Sequence, residues 1–234
     1  MVPAMLEEIY RIFRPGRALA AFHLLRDAGL LELLVPEVAH ALVPAGDAQG
    51  DPDPVATCKA LLRGYDAARS LRPEPFDDAV VLAVLHWQAF ETAVREAETR
   101  ADGRVDMGAL VKDFLSPTLT ELRVPRRTQD RFRQVLVAQR RFDPGRRRRK
   151  SEAFVRRSYF QQAVELFEIR LRAKGLSLDP VHAWRDQAGL PALDPAREEP
   201  PEPSESRPKR RRRRRRRRGR GRGRGRGPGG ASEG

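Results

Sequence analysis

Ala79-Val80-Val81-Leu82-Ala83-Val84-Leu85-His86-Trp87-Gln88-Ala89-Phe90 is apolar on almost every side, interrupted by His86 and Gln88. No part of the chain shows the alternating β-branched pattern of a half-buried strand. The run therefore reads as a helix buried on most sides, the middle of a longer helix from Phe76 to Arg100. A helix of this kind must be covered by other elements, so the reading extends to its neighbours. The expected fold class is all-α: a multi-helix array followed by a disordered Arg/Gly-rich tail.

Flanking segments carry helical periodicity as well. Leu6 to Phe13 forms a short helix that stops near Pro15-Gly16. Arg17 to Ala28 follows, with Ala18, Phe22 and Leu25 on one apolar face and Gly29 at its C-terminal end. Leu30 to Val43 continues as a helical segment around Pro36. Gly46 to Pro54 is a loop rich in Asp, Pro and Gly, and Val55 to Ser70 is a helix. Val105 to Leu122 is helical with a break at Ser116-Pro117. Arg126 to Arg141 places Phe132, Val135, Leu136 and Gln139 on one face and arginines on the other. Asp143-Pro144-Gly145 is a turn. Ser151 serves as N-cap of one long helix to Gly175, on which Phe160, Ala163, Val164, Phe167 and Leu171 share a face. A last short helix spans Pro180 to Gln187, and order is lost from Pro191.

Length and charge bound the function. The 234 residues suffice for one large domain or two small ones. Cys58 is the single cysteine, which excludes an internal disulfide and any cysteine-based zinc site, so it reads as a small buried residue. No apolar run approaches the roughly 18 residues of a membrane span, and residues 1–14 lack a secretory stretch, so a soluble cytoplasmic location without a membrane partner is expected. The net charge of +14 is uneven: residues 207–234 hold 15 basic residues against one acid, and residues 123–150 hold 12 against 2. Two cationic zones on an otherwise acidic body indicate a polyanion-binding surface. Nearly all the cations are arginine, whose guanidinium fork pairs with phosphate oxygens and stacks on bases.

Catalytic groupings are missing from the pattern. The Gly-Arg repeat has no preceding strand and following helix, so it is not a phosphate loop. His23, His40, His86 and His182 have no metal-ligand spacing and read as surface or satisfied core histidines. Asp51-Pro52-Asp53 has the form of a metal-binding carboxylate pair but sits in a proline-punctuated loop.

The first residues carry a resemblance. Leu6-Glu7-Glu8-Ile9-Tyr10-Arg11-Ile12-Phe13, Gly16-Arg17-Ala18, Phe22-His23-Leu24-Leu25-Arg26-Asp27-Ala28-Gly29-Leu30-Leu31 and Leu34-Val35-Pro36-Glu37-Val38 resemble the segment after the catalytic region of class II nucleotidyltransferases. These are the bacterial poly(A) polymerases and CCA-adding tRNA enzymes. Val124-Pro125-Arg126-Arg127, the arginine helix after it and the basic tail look like the arginine-rich C-terminal region of the poly(A) polymerase branch. The family's Gly-Gly-x-x-Arg-Asp turn, Asp-x-Asp metal pair and base-selecting neck motif match no position here. The resemblance therefore implies an RNA-gripping body without its catalytic head. It would belong to a polynucleotide adenylyltransferase, inactive alone, holding no cofactor of its own; Mg and ATP would bind the head, on a missing or separately encoded chain. A CCA-adding parent and a free-standing RNA-binding module stay as alternatives.

On this reading the segments are 1–43, resembling the RNA-binding region after the head; 44–122, a helical body; 123–190, arginine-rich; and 191–234, a disordered basic tail. The expected RNA contacts are Arg126, Arg127, Arg131, Arg133, Arg140, Arg141, Arg146, Arg147, Arg148, Arg149 and Lys150. The tail adds Lys209, Arg210, Arg211, Arg212, Arg213, Arg214, Arg215, Arg216, Arg217 and Arg218. Such contacts reach backbone phosphates and give low sequence specificity. Phe132 reads as core, while Phe142 is open between core and base-stacking roles.

Overall fold

A computed structural model describes residues 2–43, 53–101, 104–142 and 151–193. The described residues are helical without a strand, as the sequence pattern requires. In chain order the helices are α1 (Val2–Phe13), α2 (Ala18–Asp27), α3 (Leu31–Leu34), α4 (Pro36–Ala41), α5 (Pro54–Ser70), α6 (Asp78–Arg100), α7 (Met107–Glu121), α8 (Arg126–Ala138), α9 (Ser151–Val155), α10 (Phe160–Ala173) and α11 (Asp179–Ala188). A 3₁₀ turn, Gln139–Arg141, extends α8. The chain divides into two units after Glu198, and every described residue lies in the first.

Every residue from Ala79 to Phe90 is buried, and α6 is surrounded by α1, α4, α5, α7, α8 and α10. Its two polar interruptions are both inside. His86 is satisfied: its Nδ1 lies 2.8 Å from the Leu82 carbonyl, and its Nε2 lies 3.2 Å from Glu37 Oε1 and 3.4 Å from the Thr118 hydroxyl. Burial pushes the Glu37 carboxyl up, but the hydrogen bond from His86 and its charge outweigh that and leave it below its ordinary value. The Pro36-Glu37 step of the sequence thus has a structural reason. Val35, at φ −145° and ψ 68°, leaves the helical region ahead of the proline and ends α3, and Pro36 starts α4 so that Glu37 meets His86.

Two expectations fail for packing reasons. Ser116-Pro117 does not break α7, which runs continuously to Glu121. Pro117 sits on the exposed side while Val111, Leu115, Thr118 and Leu119 stay in the core, so burial on one face outweighs an interior-proline cost of about 3 kcal/mol. The long helix expected from Ser151 is divided into α9 and α10 by a turn at residues 156–159. Residues six apart on a helix point about 120° apart. Phe154 and Phe160 could not both reach Phe142 from one straight helix. The turn lets them, at ring-centroid distances of 5.5 and 6.4 Å.

The buried residues form two clusters. The larger joins α1 to α8 with Leu166 and Ile169 of α10; the smaller gathers Phe142, Phe154, Phe160, Phe167 and Val181, with Trp184 against it. α10 contributes to both, and its approach to α5 is close: a Cβ on Gly64 would stand 2.6 Å from the Ile169 carbonyl oxygen. Leu193 is buried, and the Pro191 carbonyl accepts from Arg185 Nε at 2.9 Å, so packed structure continues past Pro191. Cys58 is buried, and burial pushes its thiol up to about 12, as fits an inert core residue. No described helix is long and apolar enough to cross a membrane.

Candidate nucleic-acid interface

α8 is positioned by the turn before it. α7 ends in a Schellman motif: Val124 N–H donates to the Leu119 carbonyl at 3.2 Å and Arg123 N–H to the Thr120 carbonyl at 3.3 Å. The residue this motif places in the left-handed region is Arg123, at φ 46°, where glycine is usual. Val124 is buried beneath it and Arg123 projects into solvent. α8 then buries Phe132, Val135 and Leu136, and Gln139 in the 3₁₀ turn continues that face, as the periodicity predicts.

The arginines opposite that face divide into free and engaged. Arg126 and Arg127 are exposed and have no hydrogen bond or ion pair among the described residues. They occupy the first turn of a helix with no acid there and no side-chain cap. The positive end of the helix dipole disfavours cations at that position and favours an anion near it. Arg131 is engaged: its Nη1 donates to the Ser158 carbonyl and, at 3.1 Å, to Gln162 Oε1. Arg133 lies 3.5 Å from Asp130. Arg140 pairs with Glu98. Arg141 is exposed, with its guanidinium 5.0 Å from the Phe154 ring centroid. Arg146, Arg147, Arg148, Arg149 and Lys150 lie outside the described residues, as do Lys209 to Arg218.

The Arg131–Ser158 bond draws a second pair of cations alongside α8. Arg156 and Arg157 lie exposed in the turn between α9 and α10, and they have no partner among the described residues. Sequence reasoning missed them by placing them inside a continuous helix. Arg123 belongs to the cationic zone 123–150 yet is not among the expected contacts, because nothing local marks a non-glycine residue as the C-terminal stop of a helix. Arg123, Arg126, Arg127, Arg156 and Arg157 make up the free cationic surface of the described residues in this region. Phe132 is core as the sequence reads it, and the open question at Phe142 resolves toward packing. Phe132 is fully buried, and Phe142 stacks on Phe167 at 4.5 Å with 6° between ring planes.

Among the described residues no three His, Cys, Asp or Glu side chains are gathered as a metal ion would need. Asp53 uses its carboxylate as the N-cap of α5, accepting from Val55 N–H at 2.9 Å; Asp51 lies outside the described residues.

Two protein families match the chain. The one described as "Polymerase A arginine-rich C-terminus" matches residues 104–220, half of the 234 residues. The one described as "Probable RNA and SrmB- binding site of polymerase A" matches residues 5–42. No curated protein and no solved structure matches.

Proposed function

This chain belongs to the polymerase A family through its RNA-binding-site and arginine-rich C-terminal regions, and we propose that it holds RNA for a polynucleotide adenylyltransferase. In this reading it acts in RNA 3′-end polyadenylation while the transfer chemistry, with its Mg and ATP, comes from a catalytic head outside these residues. The match over 104–220 favours the poly(A) branch over a CCA-adding parent.

The observation that carries the reading is the free cationic surface at the start of α8. Arg126 and Arg127 stand at a helix N-terminus without acidic partners, and Arg123, Arg156 and Arg157 are exposed with them. A phosphate there would relieve both the repulsion among guanidiniums and the unfavourable dipole. Backbone contacts of this kind grip RNA with little regard to sequence. The tail, residues 207–234 with 15 cations, would widen the capture range.

The test is single-stranded RNA binding as a function of salt, with and without residues 207–234. For Z neutralised phosphates the log–log slope is about −0.7Z. Deleting the tail should weaken binding and flatten that slope while leaving the helical circular dichroism intact. Addition of adenylates to a primer by this chain alone, with Mg and ATP, would contradict the assignment of chemistry to a separate head.

A second reading is favoured by the N-terminal region. The family description for 5–42 names the protein SrmB beside RNA, and Leu24 is 71% and Leu33 66% exposed there. Exposed leucines beside α2 and α3 suit a protein partner more than a polyanion. Leu24→Asp with Leu33→Asp should abolish capture of SrmB while sparing RNA affinity; equal capture by the double variant would rule this face out.

A further inference from the structure

Gln88 is the polar interruption of α6 that the fold leaves unexplained. His86, two residues earlier, has a partner for each ring nitrogen, whereas Gln88 is 4% exposed and its Oε1 is buried with no hydrogen-bond partner. Leaving such a group unsatisfied costs about 1–3 kcal/mol, and a leucine would fill the same helical position without that cost.

Gln88 lines a cleft of about 480 Å³ between α6, the 3₁₀ turn after α8, α10 and the start of α5, within the range of about 300–1,000 Å³ typical of small-ligand sites. Its wall holds a prepared stacking surface. The Arg170 guanidinium lies 4.2 Å from the Trp87 ring centroid, and its Nη1 donates to Gln139 Oε1 at 3.1 Å. A guanidinium backed by an indole, its side chain 11% exposed, offers a face on which an unpaired base stacks. Four cations line the cleft, Arg95, Arg140, Arg170 and Lys174, against two acids, Glu91 and Glu98. The balance of +2 suits one or two phosphodiesters better than a triphosphate. Arg140 also borders a neighbouring hollow of about 410 Å³ that includes Arg104, so the positive lining continues beyond the cleft.

We propose that this cleft is a nucleotide site. It takes one unpaired nucleotide of single-stranded RNA, its base on Arg170, its edge against the Gln88 amide, and its phosphates toward Arg140 and Lys174. The amide offers a donor and an acceptor side by side, the complement of adenine along N6 and N7. The inference rests on the RNA-binding reading and adds to the phosphate surface a contact that senses the base.

The test uses the full chain carrying Trp184→Phe, which leaves Trp87 as the single tryptophan of the two in the sequence. Binding of the adenylate trinucleotide is followed by Trp87 fluorescence at about 0.5 M salt, where purely phosphate contacts are largely screened. The trinucleotide should quench Trp87, and Gln88→Leu should weaken its binding about tenfold, the low end of a bidentate base contact, without lowering the melting temperature. Lys174→Glu, at an exposed position, should weaken it in a parallel titration at about 0.05 M salt, where a phosphate contact is much less screened. Unchanged affinity in both variants overturns the site, and tighter binding of ATP than of the trinucleotide overturns its assignment to RNA. If long RNA binds at low salt while the trinucleotide leaves Trp87 untouched, the cleft is excluded and the phosphate surface stands. If RNA does not bind at all, both readings fall.

Discussion

The arginines around α10 and those around the start of α8 are the same residue used for opposite purposes. Beside α10, Glu168 is fully buried and accepts from Arg72 and, at 2.8 Å, from Arg172 Nε. Arg185 is itself buried and ties its Nη2 to the Pro191 carbonyl at 2.6 Å. Here guanidiniums hold helices together: Arg72 follows α5 and Arg172 lies on α10, so one carboxylate clamps the two. At the start of α8, Arg126 and Arg127 face solvent with nothing to hold. Composition counts both sets alike. The second set can exchange water and counterions for phosphate without giving up a contact of the fold, so composition alone does not say which guanidiniums are available to RNA.

The contrast can be broken most forcefully at Glu168. Glu168→Ala leaves the Arg72 and Arg172 guanidiniums without the carboxylate that pairs with both and should cost about 3 kcal/mol of unfolding free energy in urea. Affinity for RNA measured below the melting temperature should be unaffected. A loss of RNA affinity in the folded variant would mean that the two sets of arginines are not separate. Next comes the contact that creates the buried set. Gly64→Ala drives a methyl into the Ile169 carbonyl and should destabilise by about 2–3 kcal/mol, again in denaturant. An unchanged midpoint would show that α5 and α10 are further apart than described.

Glu165 sharpens the comparison through pH. Burial pushes its carboxyl up to about 7 from an ordinary 4.5, against the opposing pull of Gln161, Arg72 and Arg185. The folded state therefore keeps a proton that the unfolded chain releases. That contribution is complete below pH 4.5 and is lost as pH rises to about 7. Glu165→Gln should then stabilise the protein by roughly 2 kcal/mol at pH 8 and by little at pH 4. Thermal melts at the two pH values decide it, and an equal shift at both would contradict the buried neutral acid.

The smallest effect on the fold is expected at the free set. Arg126→Ala with Arg127→Ala should leave stability within about 0.5 kcal/mol. The same pair should make the salt slope of single-stranded RNA binding shallower by about 1.4, two phosphates' worth. An unaltered slope would remove the start of α8 from the interface.

Much of the fold was legible because helix formation is local. The apolar run through Ala79–Phe90, the α8 core face and the stops at Gly29 and Gly175 follow from periodicity and backbone conformation. The misreadings at Pro117 and at residues 156–159 arose where distant contacts overrode a local preference. One was a proline tolerated on a solvent face, the other a helix bent so that two phenylalanines could meet a third. The candidate site was legible only in outline. Clustering of charge pointed to 123–150, which lies inside the arginine-rich family match at 104–220. The division of labour within it depended on Ser158, Glu98 and Asp130 meeting particular arginines.

The sequence by itself determined that this chain is helical, where most helices start and stop, and that its cations are segregated, because each depends on residues within a few turns of one another. Tertiary structure alone decided which guanidiniums are free, that Phe142 is core, and that Gln88 is left facing a cleft. Those outcomes depend on which side chains arrive from elsewhere in the chain, and on whether burial leaves a polar group with a partner.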